Sequence, residues 1–275
     1  MLLRAAVADN APSPSRGEAK VHENKFPNGA ALVFGGSGGI GQEVAKAFAR
    51  AGADVAIVYR SKKDIAERVA GEIVKLGRKA TMHAADVTDP AQVKNAVDAA
   101  AKAHDRLHTV AWAAGPVVEQ VFIAETSQAL WKKSFDIEVH GFFNAVQATL
   151  PLLRAAGGGS YVHMGSAGHV WWPQKDGLSV APKAANEALI KGIAKEEGRN
   201  NIRANSVLVG VIEAGMFLEL LKRGVFDQKW IDETQKLLCL KRWGKPEEIG
   251  HAAVFLATNG YVTGQQINVS GGFGI

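Results

Sequence analysis

The chain has 275 residues, 47% of them apolar and 21% charged, with 32 Lys plus Arg against 27 Asp plus Glu and a formal net charge of +5. This is the composition of a globular chain long enough to bury its own core, and it excludes a disordered or collagen-like protein. A single cysteine, Cys239, excludes a disulfide framework and a thiolate zinc cluster, while cations interleaved with acids leave no nucleic-acid footprint.

Residues 1–25, with Pro12, Ser13, Pro14 and scattered charges, lack periodicity and read as a flexible extension. Met1-Leu2-Leu3-Arg4 opens no secretory h-region, and no run approaches the roughly 20 apolar residues of a membrane span. The expectation is a cytoplasmic chain with no membrane partner and no bound metal. Residues 26–275 read as one domain. An apolar run at 30–34 precedes a glycine cluster and a helical pattern through 51. A second apolar run at 54–59, a helix at 65–76, a strand at 80–85, a helix at 90–103 and a strand at 109–113 follow. The second half reads as one long helix at 128–155, a strand at 160–164 and a helix at 182–197. A strand at 203–209, a helix at 246–257 and a last strand at 266–269 complete it. Strands alternating with helices of this length imply right-handed βαβ units, a parallel sheet and helices on both faces.

Gly35-Gly36-Ser37-Gly38-Gly39-Ile40-Gly41 lies between the first strand and the first helix. Glycines there allow a tight turn and close approach of backbone to a pyrophosphate, which the helix N-terminus attracts through free N–H groups and its dipole. The second strand ends Tyr59-Arg60-Ser61-Lys62-Lys63, with no acid to grip a ribose 2′-hydroxyl. A guanidinium forks onto a phosphate, so this end points to NADP(H) over NAD(H).

From residue 27 to 275 the chain resembles the short-chain dehydrogenase/reductase family. The resemblance rests on Gly35-x-x-x-Gly39-Ile40-Gly41, Asp86-Val87, Ala114-Gly115 and Gly165-Ser166. It continues through Lys183-Ala184-Ala185, Ile202-Arg203-Ala204-Asn205-Ser206, Arg242-Trp243-Gly244-Lys245-Pro246 and Val262-Thr263-Gly264. It implies a doubly wound (Rossmann) parallel sheet of about seven strands. It also implies Asp86 and Val87 by the adenine, Ala113, Ala114 and Gly115 along the adenosine ribose, and Val211 and Ile212 by the nicotinamide carboxamide. Family members are dimers or tetramers, here a homotetramer by expectation, pairing through the helices at about 128–155 and 180–198.

The resemblance also implies a Ser, Tyr, Lys and Asn catalytic set. Ser166 matches the serine and Lys183 the lysine. The tyrosine position, four residues before Lys183, is Ser179, and the asparagine position is Glu138. A serine hydroxyl is a far weaker acid than a phenol and is several ångströms shorter, so proton delivery by tyrosine does not carry over. Three readings stay open. The first is a reductase of conjugated C=C bonds, where oxyanion stabilisation dominates; its candidates are Ser166, Ser179, His169, a water held by Glu138, and Asp176, seven residues before Lys183. The second reduces a carbonyl or imine with a solvent proton or Glu138. The third is an inactive NADP(H)-binding protein. Trp112, Trp171 and Trp172, with Met216, Phe217, Phe226 and Trp230 of a lid at 215–240, point to a bulky apolar substrate.

Overall fold

The computed structural model describes residues 26–275, so the extension read at 1–25 lies outside the described residues. The seven strands are β1 (Ala30–Phe34), β2 (Val55–Tyr59), β3 (Ala80–Ala84), β4 (Leu107–Trp112), β5 (Gly159–Ser166), β6 (Ile202–Val209) and β7 (Gln266–Val269). All pair in parallel, in the order β3-β2-β1-β4-β5-β6-β7. Parallel strands need crossovers, and these are α1 (Gly39–Arg50), α2 (Lys63–Lys75), α3 (Pro90–His104), α4 (Gln128–Phe135), α5 (Gly141–Ala155), α6 (Gly177–Glu197) and α9 (Pro246–Thr258).

Side chains alternate along each strand, so β1, β2, β4, β5 and β6 feed two cores. Leu32, Phe34, Val110, Trp112 and Tyr161 face α3, α5 and α6, where Val93, Phe142, Leu153 and Ile190 meet them. Ala31, Val33, Ile57, Val162 and Val207 face α1, α2 and α9, packing on Val44, Phe48, Ile73, Ile249 and Leu256. The strand order reverses between β1 and β4. There the carboxyl ends of neighbouring strands diverge to opposite faces and open a crevice.

Two sequence expectations change. The helix expected over 128–155 is interrupted by a π turn at Asp136–His140, between α4 and α5. The helix expected from 182 begins at Gly177 and runs through Pro182. Proline has no N–H for the carbonyl four residues back, and the hydroxyl of Ser134 on α4 donates to that Leu178 oxygen instead. Within the lid segment, α7 (Gly215–Lys222) and α8 (Gln228–Lys236) are formed.

Candidate active site

The glycine turn is shaped by exclusion of side chains. Gly35 has φ +76°, and a Cβ there would lie 2.6–2.7 Å from the backbone of Ala113 and Ala114 at the end of β4. Gly41 is pressed onto the Gly35 carbonyl, and Gly36 faces Ile57, so the turn reaches β4 and β2 only without side chains. Gly38 caps α1 with extended backbone and no side chain, and its N–H bonds Gly35 O at 2.8 Å. The N–H groups of Gly39, Ile40 and Gly41 therefore open the helix with no carbonyl four residues back inside it. With Ser37 beside them, these donors and the helix dipole fit a pyrophosphate. The wall of this site is Gly215, the first residue of α7, whose backbone lies directly against Gly39.

The residues expected by the adenosine end of a cofactor also come together. Tyr59 ends β2, and Arg60 and Ser61 follow it, exposed, before Lys63 opens α2. Across from them, the N–H and hydroxyl of Thr88 bond Asp86 at 2.9 and 2.7 Å and hold its carboxyl below the ordinary range, with the charge of Arg60 adding to the effect. Val87 accepts from the Asn144 amide at 3.0 Å. Val211 and Ile212 follow β6 and are tied to Gly244 through Gly244 N–H to Val211 O at 3.0 Å. The candidate cofactor residues thus lie at the carboxyl ends of β1, β2, β3, β4 and β6, along one edge of the sheet.

At the other end the π turn sets Glu138 against α6. Lys183 donates to Glu138 Oε1, and the pair is nearly enclosed, with side-chain exposures of 19% and 1%. Gly115 covers the carboxylate: a Cβ there would stand 2.5 Å from Glu138 Oε1. Glu138 Oε2 is buried without a partner among the described residues. Asn186, one turn beyond Lys183, donates to the Glu138 backbone carbonyl at 2.9 Å and fixes the π turn. Ser166 Oγ accepts from Gly168 N–H at 3.1 Å, which leaves its hydroxyl hydrogen to donate. Ser179 is buried on α6, and Asp176 stands immediately before that helix with its Oδ1 accepting from Gln120 Nε2 at 3.0 Å. His169 is turned to the Ser166 carbonyl at 3.0 Å, and exposed His140 to Asp136 at 3.1 Å.

Sequence reading missed a buried network behind the site. His163 Nδ1 donates to Glu187 Oε1 at 2.9 Å, Gln266 donates to Glu187 Oε2 at 2.9 Å, and Asn186 approaches His163 Nε2 at 3.4 Å. Burial pushes the Glu187 carboxyl up, but the bonds from His163 and Gln266 outweigh it and hold the group below its ordinary value. The signal available was the polar pair Asn186-Glu187 on a helix otherwise packed with Ala, Leu and Ile.

The aromatic expectations need correction. Trp112 does not reach the crevice: it is fully buried between Phe34 and Phe142, each ring centre 5.4 Å away. Phe217, Phe226 and Trp230 pack on one another and on Trp243, with Phe226 and Trp230 stacked at 3.8 Å, so these rings form a small cluster of their own. Trp171 and Trp172 stay exposed. Of the three tyrosines, Tyr59 ends β2 and Tyr261 is fully exposed before β7. Tyr161 lies in the core on β5, where its hydroxyl meets Thr149 at 2.8 Å and burial pushes its pKa far up.

A family model described as Enoyl-(Acyl carrier protein) reductase matches residues 35–274. Cyclohexanol dehydrogenase of Acinetobacter sp. (strain SE19) is 32% identical over 256 residues, covering 92% of this chain and 98% of that protein. A short-chain type dehydrogenase/reductase from Mycobacterium ulcerans superposes with TM-score 0.83 at 29% identity, covering 90% of each chain. Carveol dehydrogenase from Mycobacterium avium, solved in complex with NAD, superposes with TM-score 0.82 at 26% identity, covering 89% of this chain and 96% of that one. With the seven-stranded sheet and its glycine turn, these matches establish that the chain belongs to the short-chain dehydrogenase/reductase family of oxidoreductases.

Proposed function

We propose that the protein is an NADP(H)-dependent reductase that passes hydride to a bulky apolar substrate, at a conjugated C=C bond, a carbonyl or an imine, without the family's phenol. The observation that carries this reading is the enclosed Lys183–Glu138 pair, in a chain whose structural relative carveol dehydrogenase was solved with NAD. The bound nicotinamide supplies the hydride. Gly39, Ile40 and Gly41 offer N–H groups to the pyrophosphate, and Arg60 with its basic neighbours receives a 2′-phosphate. Glu138 fixes the Lys183 ammonium, whose remaining donors are available to a ribose or substrate oxygen. Ser166 presents its hydroxyl hydrogen to a developing oxyanion. The absence of a phenol at this site is supported by Ser179 at the tyrosine position and by the places that Tyr59, Tyr161 and Tyr261 occupy. The alcohols named for two relatives, cyclohexanol and carveol, fit an apolar substrate. Pairing as a dimer or tetramer through α5 and α6 belongs to this reading, and α5 leaves Phe143 exposed for it.

The test is fluorescence titration with NADPH and NADH, followed by turnover with cyclic ketones, enones and cyclic imines. The expected result is at least tenfold tighter binding of NADPH, lost in Arg60→Asp, as for removal of a charged hydrogen bond of about 1.5–3 kcal/mol. Equal affinity for the two cofactors overturns the phosphate assignment, and binding without turnover of any probe overturns the reductase.

A further inference from the structure

Two loops meet at the start of α6. Val121 forms a parallel bridge with Asp176, and its N–H bonds Lys175 O at 3.1 Å. Lys175 turns the chain there with φ +67°, and its ammonium sits 4.8 Å from the centre of the Phe122 ring. The same junction directs Asp176. It stands at the cap position of α6, where a carboxylate ordinarily bonds the helix N–H groups, yet it makes no such bond and turns to Gln120 at 3.0 Å. Asp176, Ser179 and Lys183 are spaced three and four residues apart at the start of α6, and the Lys183 charge acts on the Asp176 carboxyl.

Outside this polar row lie two apolar lips. Phe122 and Ile123 come from one loop, 43% and 66% exposed, and Trp171 and Trp172 from the other, 54% and 47% exposed. Ile123 and Trp172 both reach Gly177, whose Cβ would stand 3.6 and 3.5 Å from them, so the lips flank the first turn of α6. Exposed aromatic and aliphatic surface beside a polar row is the arrangement that seats an apolar skeleton and aims its one polar group.

We propose that Asp176 delivers the proton of the reaction, that Gln120 is the residue that positions it, and that Phe122, Ile123, Trp171 and Trp172 select an apolar carbon skeleton bearing a single reducible group. This rests on the reductase reading above. The electron pair arriving as hydride forms the new C–H bond while the C=O or C=C π bond opens. The resulting alkoxide or enolate takes the Asp176 carboxyl proton, forming O–H or C–H, and the carboxylate regains a proton from water at the partly exposed mouth. NADPH is the reductant and leaves as NADP+. Burial pushes the Asp176 carboxyl above its ordinary value, against the Gln120 bond and the charge of Lys183, which keeps a proton available. The charged groups around it are Lys183 on α6, Glu138 on the π turn, Lys175 in the preceding turn and Glu119 beside Gln120.

Two measurements test this. The first is the pH profile of NADPH oxidation with cyclohexanone and 2-cyclohexenone. Wild-type kcat should fall as pH rises through the Asp176 titration, and Asp176→Asn should lose about 100-fold in kcat, the scale of general-acid catalysis, with NADPH affinity within twofold. Asp176→Glu should restore part of the rate. Gln120→Leu removes the positioning contact and a bond to the ionised form, so its limiting low-pH kcat should fall and its profile should shift to higher pH, a shift that a merely structural role would not produce. The second is a carboxyl carbon NMR titration of aspartate-labelled protein with NADP+ bound. The resonance missing in Asp176→Asn should titrate above the ordinary aspartate range, and higher still in Gln120→Leu. An Asp176→Asn rate within threefold of wild type, or a resonance titrating in the ordinary range, overturns the proposal. A wild type that binds NADPH but reduces neither probe overturns the reductase reading instead, and the NMR titration then decides on the Asp176 proton alone.

Discussion

At the phosphate turn, side chains are kept out: Gly35 lies on the backbone of Ala113 and Ala114, Gly41 on Gly35, Gly39 on Gly215. At the Lys183 end, polar groups are brought in and matched, the Lys183 ammonium to the Glu138 carboxylate and the His163 ring to the Glu187 carboxylate. The first end tolerates no addition, because its neighbours are main chain and cannot move aside. The second tolerates replacement provided both partners change, because what it must satisfy is charge balance in a place water hardly reaches. One crevice thus holds a rigid glycine turn at one end and an end built from matched polar groups at the other.

Lys183→Met is the strongest challenge to this contrast. It leaves the Glu138 carboxylate buried without its counter-charge, at an expected cost of about 3–5 kcal/mol, read as a fall in the thermal midpoint. Adding Glu138→Gln should recover most of that loss, and a double variant as unstable as the single one would break the idea of matched charges. Gly35→Ala should cost roughly 2–5 kcal/mol through positive φ and overpacking together. Here no compensating side-chain change exists, so rescue by any change at Ala113 or Ala114 would dissolve the distinction. The gentlest probe lies outside the crevice, where Arg154 on α5 grips Glu197 at the end of α6, with Nε to Oε2 at 2.8 Å. The guanidinium holds the Glu197 carboxyl down to about 2. Its ionised form therefore stabilises the fold fully above the ordinary value near 4.5, and this contribution is lost as pH falls towards 2. Glu197→Gln should lower the thermal midpoint by a few degrees at pH 7, with a gap from wild type that is constant down to pH 5 and closes below it.

The same contrast explains which parts of the molecule were legible in the sequence. The bounds read for β1 and β7 agree with the strands observed, because short apolar runs between breakers admit one period. The glycine turn was legible because exclusion of Cβ leaves its mark in the residue itself. The π turn left none: a helical pattern over 128–155 averages across one extra residue, so Glu138 could be suspected but not placed. The start of α6 was hidden by Pro182, whose cost is met by Ser134, 48 positions earlier in the chain. Trp112 looked like a pocket residue because it stands near the end of the fourth strand, but its ring fills space left open by Gly141, where a Cβ would stand 3.1 Å from it. Partnerships between residues far apart are written in no local window, and the substrate end consists of them.

The π turn carries an evolutionary consequence. It accommodates one residue more than an α-helix would over Asp136–His140, between two helices that are otherwise continuous. Loss of one residue there would let the segment close to α-helix with α4 and α5 keeping their facing, because a π turn absorbs its extra residue locally. The residue set opposite Lys183 would change while the sheet and the glycine turn stayed as they are. A one-residue change of length at Asp136–His140 is therefore enough to exchange the partner of Lys183 without a change of fold.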